Sequence, residues 1–159
     1  MPNADTLSIK PIKELFYKYS TGLTTVDPFS RNCELCDFTN DLNPETKAQT
    51  HVYAEEFLKT FVDFQFVVFD PPYSLRQVKE IYDGVGTGFT HKDSQNAIRW
   101  TIERDIIASK QKKGGLVMSL GWSTTAMGKK REYEIVEILI VSHGAAHNNT
   151  LVTIEEKLW

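Results

Sequence analysis

Apolar positions near the start of the chain follow a helical repeat. Ile9, Ile12, Leu15, Phe16 and Tyr19 recur on one side, with Pro11 near the beginning and Gly22 just beyond the end. This predicts a first helix with one buried face. Short apolar runs follow. Residues 23–26, 35–39 and 50–53 each predict a brief strand, the first broken by Asp27-Pro28 and the second by Asn40-Asp41. Phe57, Leu58 and Phe61 then predict a helix. Residues 64–69, Phe-Gln-Phe-Val-Val-Phe, are apolar at nearly every position. A strand covered on both faces reads this way, because neither side meets water.

The second half continues the alternation. Ser74 and Gln77 have capping-box spacing for a helix to about Asp83, where Gly84 ends it. Asp93 or Ser94 would cap a longer helix through Trp100, Ile102 and Ile106 to Gly114-Gly115. Residues 116–120 predict another buried strand, and 133–141 with 150–154 a final pair across a polar turn. Alternating strands and helices imply an α/β sandwich with seven strands, mostly parallel, a C-terminal antiparallel hairpin, and helices on both faces. In such sheets ligands bind beyond the carboxyl ends of the strands.

Composition narrows the class. At 159 residues, 41% hydrophobic and 25% charged, the chain can bury a core and is not of the disordered type. No basic-then-apolar opening suggests a secretory leader, and the longest apolar runs are far short of a membrane span. Cys33 and Cys36 cannot build a disulfide framework, so a reducing, cytoplasmic setting is expected. They read as buried thiols. His143 and His147 sit in a hairpin loop, and no metal site is expected. The net charge of −3 is unevenly spread: residues 106–131 hold Lys110, Lys112, Lys113, Lys129, Lys130 and Arg131 without one acid.

The chemistry gathers at Asp70-Pro71-Pro72-Tyr73, directly after the clearest strand. Two prolines stiffen the turn and remove two amide donors, so its carbonyls can only accept. The aspartate adds acceptor oxygens and the tyrosine a flat aromatic face. Such a turn suits a planar group bearing an NH2.

This motif, between a buried strand and a capped helix, resembles the catalytic motif of the amino-group DNA methyltransferases, in the aspartate form typical of N6-adenine enzymes. More narrowly, the chain is similar to small phage and prophage adenine methylases. The resemblance implies a Rossmann-like class I methyltransferase fold and one catalytic domain over residues 1–159, with no separate target-recognition domain. It implies S-adenosylmethionine as cofactor, S-adenosylhomocysteine as product and DNA as partner, with no membrane. A homodimer or a partner subunit could supply target recognition.

By the same resemblance, Asp27-Pro28-Phe29 opens the cofactor motif, Asp41 meets the ribose, and Tyr53 stands where an acid commonly meets the adenine ring. The family's Asp-Pro-Phe-x-Gly-x-Gly is here Asp27-Pro28-Phe29-Ser30-Arg31-Asn32-Cys33, with neither glycine. Arg31 and Asn32 would instead offer side-chain donors to the methionine carboxylate. Asp70 and the Pro71 carbonyl would hold both N–H bonds of the target amine, with Tyr73 stacking on a base flipped from the duplex. Lys129, Lys130 and Arg131 follow the carboxyl end of the 116–120 strand and are expected to share the catalytic face and touch DNA phosphates. Two rival readings stand beside methylation of adenine N6 in DNA: a catalytically degenerate binding protein or partner in restriction evasion, and methylation of RNA or single-stranded nucleic acid.

Overall fold

The computed structural model describes residues 6–72, 83, 86, 100–121, 126–145 and 147–159. One sheet organises them. Its strands are β1 (Thr25–Asp27), β2 (Phe38–Thr39), β3 (Phe66–Phe69), β4 (Leu116–Gly121), β5 (Tyr133–Val141) and β6 (Thr150–Lys157), in the spatial order β2-β1-β3-β4-β6-β5. The first four run parallel; β6 is antiparallel to β4, and β5 to β6.

The described sheet thus has six strands where seven were expected. The missing one is 50–53, whose place beside β2 is marked by a single parallel bridge between Asn40 and Thr50. The reason is local. The Asn40 amide donates to the Val52 carbonyl (2.9 Å) and accepts from the Val52 N–H (3.1 Å), occupying main-chain groups that a ladder would use. The final hairpin is longer than expected, because β6 continues to Lys157.

Among the described residues three helices cover the sheet: α1 (Lys10–Ser20), α2 (Ala54–Lys59) and α3 (Thr101–Lys110). Pro11 sits in the first turn of α1, where a missing amide donor costs nothing. Ile12, Leu15 and Phe16 bury against Phe66, Val68, Met118, Leu120, Val152 and Ile154. On the opposite face Phe57, Leu58 and Ile107 pack with Val67, Phe69 and Val117. β3 therefore sends alternate side chains into two cores, which is why its sequence is continuously apolar.

The predicted long helix begins later than expected, at Thr101, because Trp100 adopts a left-handed conformation (φ 47°) and cannot continue a helix. Residues 93–99 lie outside the described residues, as does the helix predicted over 74–83 apart from Asp83. Among the described residues no helix is long and apolar enough to cross a membrane.

Candidate active site

β1 and β3 are adjacent and parallel, with Val26 level with Val67, so Asp27 and Asp70 emerge from neighbouring strand ends. Both are buried. Burial pushes the Asp27 carboxyl up to about 8 from an ordinary 3.8. The Phe29 N–H, bonded to its Oδ1 at 2.9 Å, opposes that shift; the neighbouring Asp70 adds to it, and the Arg31 guanidinium works against it. An acid held neutral by its surroundings is poised to accept a donor or a cation.

Beyond β1 the chain turns through Pro28 and Phe29 to Arg31. Arg31 is left-handed (φ 52°). The motif that the sequence resembles has its first glycine at this position, and a left-handed backbone favours glycine because it lacks the Cβ that crowds it. The loop is thus left-handed at a non-glycine residue. Asp41, just past β2, holds it: its Oδ2 accepts the Arg31 N–H (3.0 Å) and its Oδ1 the Asn43 N–H (2.9 Å). Asp41 therefore shapes the loop with one hydrogen bond per oxygen, leaving each oxygen a further lone pair. Asn32 ties the loop to the segment after it, its Oδ1 accepting the Lys47 N–H (3.1 Å).

Relief of the left-handed strain should be measurable. Arg31→Gly is expected to raise stability to urea by about 0.5–1 kcal/mol, the strain removed less the backbone entropy that glycine adds. Arg31→Ala, which keeps a Cβ, should give no such gain. Equal stabilities for the two variants would show that the conformation is not strained.

Asn40 was read from sequence only as part of a strand-ending turn. It is buried and joins three loops: its amide donates to Pro28 O (3.3 Å) and Val52 O, while its Oδ1 accepts from Thr50 Oγ1 (2.8 Å) and the Val52 N–H. Tyr53 follows at the start of α2, at the edge of this group, with its ring partly exposed. No sequence motif announces Asn40; its buried polar side chain between short strands is the only signal.

The turn after β3 is tied to the rest of the fold. Pro71 and Pro72 are buried, and the Trp100 Nε1–H donates to the Pro72 carbonyl (3.2 Å). The Asp70 carboxyl, itself buried, opens the same turn. Trp100 also meets Phe29 edge-on (centroids 4.9 Å apart), and Phe29 meets Phe69 likewise (5.5 Å). This aromatic series ties the β1 loop to the β3 turn and to α3. Tyr73 lies outside the described residues.

The basic strip stands elsewhere. Tyr133 pairs with Lys157 and Leu116 with Glu156, so Lys129–Arg131, immediately before β5, lies at the amino end of β4, opposite Asp70. The expectation that Lys129, Lys130 and Arg131 share the catalytic face is overturned. Chain order misled, because Gly121 stands at the carboxyl end of β4 whereas Met127 and Gly128 are already bonded near its amino end. Buried Glu155, level with Val117, already accepts the Met127 and Gly128 N–H groups (2.8 and 2.9 Å).

Several of these cations are also engaged within the chain. Lys110 donates to the carbonyls of Leu58, Lys59 and Phe61, closing the end of α2. Lys112 pairs with Asp63 (2.9 Å), and Arg131 with Asp105 (2.7 Å). Cys33 and Cys36 are free, buried thiols, and burial pushes Cys36 far above its ordinary range, so it is no ready thiolate. Among the described residues no group of metal-ligating side chains assembles.

No family model and no curated relative matches the chain. Solved structures do. TrmN from Thermus thermophilus superposes with a TM-score of 0.60 at 14% identity, covering 92% of this chain and 48% of TrmN, so the chain spans about half that protein's length. An rRNA methylase from Streptococcus thermophilus gives 0.58 at 11% identity over 94% of this chain and 97% of its own. SMU.1697c from Streptococcus mutans, a methyltransferase candidate complexed with S-adenosylhomocysteine, gives 0.52 at 10% identity over 92% and 97%. The fold is that of the class I S-adenosylmethionine-dependent methyltransferases.

Proposed function

We propose that the chain is an S-adenosylmethionine-dependent methyltransferase acting on the exocyclic N6 of adenine in DNA. The observation that carries this reading is the pair of buried acids, Asp27 and Asp70, on the carboxyl ends of adjacent parallel strands, one beside a left-handed loop and the other opening a proline-stiffened turn.

The residues at β1 and β2 fit the cofactor. Asp27 is a buried carboxyl ready to meet the methionine ammonium, Arg31 can pair with the methionine carboxylate, and the remaining lone pairs of Asp41 can take ribose hydroxyls. When bound, S-adenosylmethionine supplies an electrophilic methyl on a positive sulfur, so no activating metal is required. The rest falls to this chain. The amine of adenine is a poor nucleophile because its lone pair is delocalised into the ring. Acceptance of its two N–H bonds by Asp70 and the Pro71 carbonyl draws the nitrogen toward tetrahedral and frees that pair. Pro72, tethered by Trp100, fixes where these acceptors stand, so the protein contributes chiefly orientation.

Asp27 gives this reading a pH signature. In the folded chain its carboxyl titrates near 8 against 3.8 ordinarily. The neutral form is therefore the one the fold favours, and the unliganded protein loses stability as pH rises from about 4 through 8. A cationic partner reverses the preference. Cofactor binding near pH 7 is expected to release close to one proton and to tighten toward pH 8, by up to about tenfold per pH unit. Calorimetry in buffers of different ionisation heat measures the release. Asp27→Asn should abolish it, and a wild-type protein releasing no proton would remove the ammonium from Asp27.

The decisive experiment offers labelled methyl to DNA, RNA and protein in parallel, followed by nucleoside analysis. N6-methyladenine in DNA supports the proposal. Methylated RNA alone would favour the second reading, for which the match to a whole rRNA methylase speaks. Cofactor binding without any product would identify a degenerate binder.

A further inference from the structure

β5 forms one edge of the sheet, and eight of its nine residues pair with β6, Val136 being passed over at a bulge. Among the described residues no backbone group of 134–141 bonds outside β6. An open edge of this length, unless blunted, is a template for another strand. The first part is blunted: a bulge at Ile135/Glu137 bends it. Beyond the bulge, residues 137–141 run regular and open.

Their two faces differ. Leu139 and Val141 pack on the core beneath α1, and Glu137 is bonded there by Lys18 (2.7 Å) and Tyr19. Ile138 and Ile140 point to the opposite face, 45% and 62% exposed. An edge carrying exposed isoleucines and no lysine lacks the usual protection against pairing.

We propose that β5 joins a second copy of this chain, with residues 137–141 antiparallel about a two-fold axis at Leu139. A perpendicular two-fold preserves faces, so the axis passes through a residue and opposed residues differ by an even number. An axis at Glu137 would overlap β5 fully but set that carboxylate against its own copy. An axis at Leu139 places Glu137 against Val141 and Ile138 against Ile140, twice. It overlaps the whole regular segment and faces no acid with another. The four isoleucines then cover one another across the junction, and the two sheets become one. A second copy is the favoured occupant because in this register the apolar residues of the segment face one another and its one acid, already paired with Lys18 of its own chain, faces Val141. This pairing stands independently of the reaction.

Sedimentation velocity over a wide concentration range should show a reversible dimer. The double variant Ile138→Lys/Ile140→Lys should weaken it more than tenfold with an unchanged circular dichroism melt. Register is read by oxidation of single-cysteine variants, with Cys33 and Cys36 buried and silent. Leu139→Cys should form a disulfide-linked dimer and Glu137→Cys should not. A chain that stays monomeric at all concentrations, a dimer indifferent to both lysines, or cross-linking at 137 rather than 139 would overturn the proposal. The cross-linking variants keep both isoleucines, so a poorly folding lysine variant leaves that result decisive.

Discussion

Asp70→Ala is expected to reduce methyl transfer by about a thousandfold or more, while cofactor affinity changes by no more than a few-fold. The buried carboxyl stands directly after β3, at the turn whose Pro72 carbonyl accepts from Trp100. Without it the amine keeps one N–H bond unheld and its lone pair in the ring, and the loss corresponds to roughly 4 kcal/mol of barrier. A second readout separates this from a general collapse of the site. The charge of Asp70 helps to push Asp27 upward, so Asp70→Ala should lower the Asp27 titration and shrink proton release on cofactor binding at pH 7. Labelled-methyl incorporation and calorimetry on the same preparation test both. Turnover retained within a few-fold would mean that Asp70 does not touch the target amine.

The largest effect on stability is expected at Glu155, far from that chemistry. This residue is 1% exposed, and its two oxygens receive the Met127 and Gly128 N–H groups where the chain returns along the sheet. Alanine there would strand two amides in the interior and leave a void. The expected cost is about 3–5 kcal/mol, or roughly 10 °C in a thermal melt of a chain this size. Glu155→Gln, which keeps one acceptor oxygen, should lose about half as much. A shift under 2 °C for the alanine variant would show that the return is held by something else.

The parts of the fold that were legible are those where a single period governs the side chains. α1 declares itself through Ile12, Leu15 and Phe16, and β3 and β4 through apolar runs serving two cores, that of β4 interrupted at Ser119. The acidic ends of β1 and β3 were legible too, because Asp-Pro and Asp-Pro-Pro punctuate those runs. What was not legible depended on one side chain acting against its local pattern. The Asn40 amide takes Val52's main-chain groups, and a strand becomes a bridge. Trp100 turns left-handed to reach Pro72, and a helix starts late. Glu155, an acid inside a strand, bonds the returning chain and puts Lys129–Arg131 at the far end of the sheet. No local period encodes a partner tens of residues away.

The Trp100 tether also bears on the order in which the molecule assembles. The indole meets a carbonyl 28 residues earlier in the chain and a ring, Phe29, earlier still. Contacts across such separations carry the loop-closure entropy of all the chain between them, whereas α1 and the β5–β6 hairpin close over short spans. The turn bearing Asp70 is thus expected to acquire its final geometry after the folding barrier. Substitutions at Trp100 should then speed unfolding and leave the rate of refolding nearly unchanged.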